Sequence, residues 1–166
     1  MTGQLTFKPI DLAQHADLCV QFRRDAMACS FEDGAARFDR ESGANGEQYL
    51  EWLKQRIVEL PEGCVHLLEG DQVVGQIELQ LRGQQTLGDV KLLYLIPSAR
   101  GRGLGEALHD YVIQVFQQVG VVKAQLSVSP TNERAVAFYQ RHGWQSLGSR
   151  PDLPEVTLME LTVPES

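Results

Sequence analysis

The sequence has little of what marks disulfide-rich, metal-binding or secreted proteins. Its three cysteines, Cys19, Cys29 and Cys64, are odd in number and form no C-x-x-C pair, so neither a disulfide framework nor a zinc site is predicted. The four histidines are scattered without ligand spacing, and we expect no metal. Three buried or incidental thiols fit a reducing environment, which favours a cytoplasmic location.

Long apolar runs and a positive charge balance are also missing. The longest aliphatic and aromatic stretches, such as 92–96, fall far short of the ~20 residues that span a bilayer, and the first residues show no charged-then-apolar signal pattern. There are 15 basic residues against 22 acidic ones, a formal net charge of -7, which disfavours a general nucleic-acid binder. We therefore expect no membrane and no nucleic-acid partner, and the acidic balance is weakly compatible with a cationic substrate.

What the sequence does contain indicates one globular domain over residues 1–166, with 43% hydrophobic residues and no linker or internal repeat. Apolar spacing predicts a strand, two helices, three strands, a helix, a strand, a helix and two strands, which is a mixed α/β (α+β) order. Helices are predicted over 11–27, 49–60, 104–119 and 131–143, and strands over 5–10, 64–70, 72–81, 89–96, 121–128, 144–149 and 156–161. Segment 30–46 is rich in Gly, Asp, Glu and Ser and predicts a long polar loop, with or without a short turn of helix.

A glycine-rich segment, "RGRGLG" at 100–105, joins a buried strand to the start of a helix. The first N–H groups of a helix have no internal acceptors, the helix dipole adds about half a positive charge there, and glycine lets an anion approach the backbone. Arg100 and Arg102 add positive charge. The segment therefore predicts a site for a phosphate or pyrophosphate group, and a tight turn with solvated arginines is the alternative that it leaves open.

Two common phosphate motifs do not fit this segment. The dinucleotide fingerprint G-x-G-x-x-G from Gly101 needs glycine where Glu106 stands. The nucleoside-triphosphate loop needs Gly-Lys-Ser/Thr, but Gly105 is followed by Glu106 and Ala107. A nucleotide-binding module that uses the loop in another way remains an alternative function.

The segment "LLYLIPSARGRGLGEAL" resembles the signature segment of the GNAT superfamily of N-acetyltransferases. The family's pattern, Gln/Arg-x-x-Gly-x-Gly/Ala, is matched by Arg100, Gly103 and Gly105. The segment "SVSPTNERAVAFYQRHGW" resembles the family's companion segment, and the matching residues there are Asn132, Ala135, Phe138, Tyr139 and Gly143. The order of the elements agrees as well, so the resemblance covers most of the chain.

The resemblance implies a GNAT-like fold, with a central mixed, mostly antiparallel sheet flanked by helices. Its parallel central strands, 89–96 and 121–128, would splay apart, and acetyl-CoA would lie between them as co-substrate. The resemblance places the pyrophosphate on the backbone N–H groups of Arg100, Gly101, Arg102, Gly103, Leu104 and Gly105. It places the pantetheine arm along the backbone of Leu93, Tyr94 and Leu95.

The resemblance also implies roles in acetyl transfer. The N–H of Leu95 would polarise the thioester carbonyl, and Tyr139 would protonate the leaving sulfur, since a phenol with a pKa of about 10 stays protonated at neutral pH. Asn132 would hydrogen-bond the pantetheine arm, cap its helix, or do both. Asp89 and Glu78 are candidates for the base, although an ordinary strand or turn acid accounts for either. Asp89 lies six residues before Leu95, so both share one face unless a bulge intervenes.

The acceptor is the least defined part of the prediction. Phe31, Glu32 and Asp33 are candidates for an acidic acceptor pocket, because GNAT enzymes usually recognise acceptors through the first helices, their loop and the last strands; a solvated loop is the alternative. The favoured function is direct transfer of acetyl to a primary amine of a small molecule, peptide or protein in a ternary complex. A non-catalytic acyl-CoA sensor on the same fold is the alternative, and a homodimer would be in keeping with the family.

Overall fold

The computed structural model describes residues 3–84 and 86–165, which form five α-helices and a seven-stranded sheet. The helices are α1 (Leu12–Ser30), α2 (Gly34–Ser42), α3 (Glu47–Glu59), α4 (Leu104–Val119) and α5 (Glu133–Arg141). The strands are β1 (Leu5–Pro9), β2 (Cys64–Glu69), β3 (Gln72–Arg82), β4 (Leu87–Leu95), β5 (Lys123–Val128), β6 (Gln145–Arg150) and β7 (Leu153–Thr162). No helix in these two ranges is long and apolar enough to cross a membrane.

The sheet has the order β1-β2-β3-β4-β5-β7-β6, and each neighbouring pair is antiparallel except β4 and β5. The prediction of a mixed, mostly antiparallel sheet is therefore confirmed. The parallel pairing is short, because only residues 87–90 of β4 pair with residues 123–126 of β5 in the described part of the chain. Beyond this point the two strands leave a gap at their carboxyl ends.

The polar loop predicted over 30–46 is wrong, because most of this segment is α2 and the turns around it. Phe38 is 2% exposed and packs edge-to-face on Tyr49 with 6.0 Å between ring centroids. Gly34 allows α2 to start against the end of α1, since a Cβ there would lie 1.9 Å from the carbonyl oxygen of Met27. Phe38 is the only large apolar residue among the nine of α2, so the segment offers no repeat of large apolar positions from which to predict this helix.

A β-bulge interrupts β4 where the parallel pairing ends. Glu78 of β3 faces Leu92 and the next residue, Leu79, faces Val90, so Lys91 is an extra residue without a partner. An extra residue reverses the alternation of side chains along the strand. Before Lys91 the even-numbered residues face one side of the sheet, and after Lys91 the even-numbered residues face the other side.

The reversal decides which side chains share a face of the sheet. Val90, Leu93 and Leu95 pack in the core cluster that includes α4. Leu92 and Tyr94 pack on the opposite face with Phe22 of α1. By the same alternation Asp89 lies on the α1 face, so the bulge places the side chains of Asp89 and Leu95 on opposite sides of the sheet.

Helix α4 covers one face of the sheet at close range. Its Phe116 is fully buried, and a Cβ on Gly88 of β4 would lie 2.5 Å from the Phe116 ring. Leu108 and Val112 of α4 are each 1% exposed in the same cluster. The start of α4 is thereby held beside the carboxyl end of β4, where the strands separate.

Candidate functional site

The first cavity, of about 630 Å³, lies between the separated ends of β4 and β5. Its walls are residues 90–95 of β4, residues 126–128 of β5, the segment before α4 with the first turns of that helix, and one face of α5. Ala26, Cys29 and Ser30 of α1 close one side. The volume is within the range of small-molecule sites, roughly 300 to 1,000 Å³.

The segment before α4 contains a row of free backbone donors, and three of its residues, Gly101, Gly103 and Gly105, line this cavity. The N–H of Arg100 bonds the carbonyl of Pro97 at 3.2 Å, and the N–H of Glu106 bonds the carbonyl of Gly103 at 3.2 Å. The five N–H groups between them, at 101–105, have no acceptor among the described residues. Free donors at a helix start, together with the helix dipole, favour an anion.

The three glycines of the segment are there for two different reasons. Gly101 and Gly103 have positive φ angles of 74° and 81°, and a Cβ on either would meet nothing within 4 Å. Their backbone requires glycine and leaves open space beside it. Gly105 instead permits close packing, because a Cβ there would lie 3.1 Å from the ring of Phe138 on α5.

The two arginines of the segment are held by protein groups. Arg100 donates from Nε to the carbonyl of Leu95 at 2.9 Å and approaches Asp25 of α1 at 3.3 Å. Arg102 pairs with Glu69 at 2.6 Å and 3.2 Å, and this pairing lowers the pKa of Glu69 below its ordinary value. In this arrangement the free donors of the candidate anion site are backbone groups, and the two arginine side chains are paired with other protein groups.

The edge of β4 that faces the gap also offers backbone groups. The N–H of Ile96 bonds the carbonyl of Val74 on β3 at 2.9 Å, and alternation in an antiparallel pair then directs the backbone groups of Tyr94 toward β3 as well. The N–H groups of Leu93 and Leu95 point away from β3, toward the gap. An extended ligand placed there has the geometry of an added strand.

Tyr139 and Asn132 reach the first cavity from α5 and its start. The Tyr139 ring packs edge-to-face with Phe138 and Trp144, and its hydroxyl bonds no group among the described residues. Burial raises the pKa of Tyr139 to about 12. Asn132 caps α5, with its side-chain oxygen accepting from the N–H of Ala135 at 3.4 Å.

The second cavity, of about 420 Å³, lies on the α1 face of the sheet between β4, β5 and the β6–β7 turn. Four residues line both cavities, and they sit where the strands part: Val90, Lys91, Leu126 and Ser127. Burial lowers the pKa of Lys91, an effect that the nearby carboxylate of Asp89 opposes. The two cavities therefore meet at the bulge.

The two candidate bases lie in different surroundings. Asp89 lines the second cavity, is 6% exposed, and pairs with Arg82 at 2.6 Å and with Lys91 at 3.6 Å. Glu78 lines neither cavity and has no exposed surface. It accepts hydrogen bonds from Tyr49 at 2.5 Å and Arg56 at 2.7 Å, and from Gln76 at 2.9 Å.

The three candidate acceptor residues lie beyond the end of α1 and line neither cavity. The Phe31 ring stacks under the guanidinium of Arg37 at 4.5 Å, and Asp33 pairs with Arg40 at 3.4 Å. Glu32 is exposed. The structure therefore does not bring these residues together with Tyr139 or the glycine segment.

Apart from Asp89, sequence reasoning missed the residues of the second cavity, above all Lys91 and Arg23. Arg23 of α1 donates from Nη1 to the carbonyl of Lys91 at 2.8 Å, which holds the bulge against the helix. A signal was present, because Lys91 is the one charged residue in 90–96, an otherwise apolar and aromatic run. Arg23 carried no comparable signal within an amphipathic helix.

Within 3–84 and 86–165, no group of three or more His, Cys, Asp or Glu side chains is arranged to hold a metal ion. The first cavity fits coenzyme A in chemical character. Its free N–H groups and open glycines suit a pyrophosphate, and its β4 edge suits the amide groups of a pantetheine arm.

Comparison with known proteins agrees with this geometry. The human alpha/beta-tubulin-N-acetyltransferase 9 is 26% identical over 163 residues, 96% of this chain and 67% of that protein. Mycothiol acetyltransferase of Beutenbergia cavernae is 30% identical over 139 residues, 84% of this chain and 43% of that protein. The chain thus spans less than half the length of the mycothiol acetyltransferases that it matches.

A solved structure and a family model complete the comparison. The structure of the PaiA N-acetyltransferase from Thermoplasma acidophilum in complex with coenzyme A aligns with a TM-score of 0.76 at 17% identity, covering 96% of this chain and 99% of that one. This likeness shows the fold. The model of the Acetyltransferase (GNAT) family matches residues 22–144, well over half of the chain. The chain therefore belongs to the GNAT family of acetyltransferases.

Proposed function

We propose that this chain transfers an acetyl group from acetyl-CoA to a primary amine. The observation that supports this most directly is the row of five free N–H groups at 101–105, of which those of Gly101, Gly103 and Gly105 belong to residues that line a cavity between splayed strands. These groups match a pyrophosphate, and the cavity continues along the free edge of β4 for the length of an extended arm. A nucleotide without such an arm would leave that edge unused.

Two parts of the cavity bind two parts of the coenzyme, its pyrophosphate and its pantetheine arm. The backbone at 101–105 holds the pyrophosphate, while Arg100 and Arg102 contribute charge from the sides. The backbone groups of Leu93 and Leu95 pair with the pantetheine amides. Leu95 lies nearer to the pyrophosphate segment and Leu93 nearer to the bulge. The N–H of Leu93 is therefore the one at the far end of the row, where it polarises the thioester carbonyl.

Acetyl-CoA supplies the acyl group as a thioester. The neutral amine attacks the carbonyl carbon, a C–N bond forms, and the C–S bond breaks. The nitrogen loses one proton, and the departing sulfur gains one from the hydroxyl of Tyr139. The phenolate that remains then takes up a proton from solvent. The raised pKa of Tyr139 keeps this donor protonated throughout the physiological range.

Of the two candidate bases, Asp89 is the better placed to receive the proton from the amine. It lines the second cavity, which adjoins the first at the bulge, whereas Glu78 is enclosed by Tyr49, Arg56 and Gln76. Geometry is the first requirement for a general base, so Glu78 is assigned a structural role.

The test is a screen of amines with detection of the free thiol that acetyl transfer releases. We expect thiol release that depends on the amine, with the acetylated amine found by mass spectrometry. Tight coenzyme A binding without turnover on any acceptor would favour a non-catalytic sensor. Calorimetry with ATP and NAD beside acetyl-CoA provides the second check, and preference for either nucleotide would contradict the proposal.

A further inference from the structure

The second cavity is positively charged. The cationic side chains that line it are Arg23, Arg82, Lys91 and Arg150, and the carboxylates are Asp89 and Asp152. This leaves a surplus of two positive charges around about 420 Å³, in a chain whose net charge is -7. A basic cavity in an acidic protein indicates a specific anionic ligand rather than general charge attraction.

The pairings within the cavity show where the surplus lies. Arg82 binds Asp89 through two nitrogens, at 2.6 Å and 2.9 Å, so these two charges offset each other. Arg150 binds Asp152 and also donates to Ser127 at 3.0 Å.

Arg23 has no carboxylate partner among the described residues. Its hydrogen bond from Nη1 goes to the carbonyl of Lys91. Lys91 is 3.6 Å from Asp89, which Arg82 already holds at shorter distance. Arg23 and Lys91 are therefore the cations that the protein's own carboxylates offset least.

We propose that the second cavity binds the acceptor, and that the acceptor is a small primary amine that also carries an anionic group, a carboxylate or a phosphate. The amine lies at the bulge, where the two cavities share Val90, Lys91, Leu126 and Ser127, and the anionic group is bound by Arg23 with Lys91 and Arg150 near it. This rests on the proposed function, whose chemistry it leaves unchanged. Guanidinium groups suit both anions, because their planar donors form paired hydrogen bonds to oxygen.

The charge of the cavity argues against the acidic acceptor pocket expected from the sequence. Phe31, Glu32 and Asp33 line neither cavity. A polyamine would bring several positive charges to Arg23 and Lys91 and would be repelled. An amine with a nearby anionic group brings one charge of each sign. The cavity offers both partners, the carboxylate of Asp89 and the cations Arg23 and Lys91.

The experiment compares acceptors that differ in one group. An α-amino acid, its amide and the matching aminoalkylphosphonate are each offered with acetyl-CoA, beside a polyamine. We expect the amino acid or the phosphonate to exceed the amide in kcat/KM by about tenfold or more, because the amide offers Arg23 no negative charge. The two anionic arms separate carboxylate from phosphate as the group recognised.

Substitutions in the second cavity test whether its cations cause the preference for an anionic acceptor. Arg23→Gln and Arg150→Gln each remove one cation, and Arg24→Gln is the matched control, because the adjacent Arg24 pairs with Asp39 on the surface and lines neither cavity. We expect either cavity variant to lower kcat/KM for the anionic acceptor about tenfold while the amide changes little, and the control to alter neither. Arg150→Gln serves if loss of Arg23 disturbs the bulge.

The outcomes separate this inference from the proposed function. If amides or polyamines are acetylated as well as or better than the anionic amines, the inference is overturned and acetyl transfer stands. If no amine is acetylated, the proposed function itself fails. A preference for anionic amines that survives both cavity variants would place acceptor recognition elsewhere.

Discussion

Gly103 and Gly120 stand at opposite ends of α4 with the same backbone, a φ of 81° at each, and a Cβ on either would meet nothing within 4 Å. Only Gly103 lines the first cavity. The two positions therefore carry equal conformational strain when substituted but differ in their distance from the proposed coenzyme site. This pair makes it possible to separate folding from ligand binding.

Gly103→Val is expected to weaken acetyl-CoA binding by about tenfold or more, because its side chain would occupy the space that the anion needs beside free N–H groups. Gly120→Val is expected to leave affinity unchanged. Both variants should lose about 1 to 2 kcal/mol of unfolding free energy, the cost of a left-handed conformation with a side chain. Calorimetric titration and urea unfolding measure the two quantities. Normal affinity in a folded Gly103→Val protein would refute the backbone anion site.

Tyr139→Phe is expected to lower kcat by about a hundredfold with little change in acetyl-CoA affinity, since a general acid contributes roughly 10² to 10⁴. Tyr111→Phe is the matched control: Tyr111 lines neither cavity and donates to the carbonyl of Glu62 at 2.6 Å. Steady-state kinetics with thiol detection distinguishes the two. Unchanged turnover in Tyr139→Phe would remove this phenol from the reaction.

The raised pKa of Tyr139 gives that assignment a pH dependence. Because its pKa is about 12, the phenol stays protonated up to about pH 11, above the range in which an exposed tyrosine ionises. The wild-type rate should therefore rise with pH as the amine deprotonates, with no falling limb up to about pH 10. A wild-type rate that falls between about pH 8 and 10, with no such fall in Tyr139→Phe, would show that the pKa of this phenol lies well below 12.

The sequence predicted the elements whose apolar period is strong. The start of α4 follows from the glycines at 101–105 and the end from Gly120, and the strand at 89–96 follows from its apolar run. Helix α2 was missed because it buries Phe38 through one aromatic contact among charged neighbours. Local periodicity registers a helix only when several apolar positions repeat.

In the candidate site, too, local sequence patterns predicted some features and not others. The glycine segment proposed to bind the pyrophosphate is local, so its residues are neighbours in sequence and were predictable together. The bulge at Lys91 depends on how β3 pairs with β4, and no pattern within β4 alone specifies that register. As a result the face of Asp89 relative to Leu95 stayed undecided until the strand pairing was known.

Glu78→Gln is expected to destabilise the fold by about 3 kcal/mol, because removing one charge of a buried pair leaves Arg56 without its partner. Tyr49→Phe should cost less, about 1.5 to 3 kcal/mol, since it deletes one hydrogen bond to the carboxylate. Urea unfolding gives both values. The pH profile of kcat in folded Glu78→Gln should match the wild-type profile, and loss of its ascending limb would restore Glu78 as a base.

Burial lowers the pKa of both His66 and His109 below the ordinary value, so the folded protein binds fewer protons than the unfolded chain. Stability from these groups is therefore fully present above about pH 6.5, their unfolded pKa, and is lost as the pH falls below it. His109 explains the effect structurally, because its Nε2 accepts the indole N–H of Trp144 at 2.9 Å and a proton on Nε2 would replace this bond with repulsion. The ring of His142 also lies close, with its centroid 4.4 Å from that of His109. Urea unfolding is expected to show lower stability at pH 5.5 than at pH 8, with a smaller difference in His109→Gln. Equal stability at both pH values would mean that neither imidazole is held neutral by the fold.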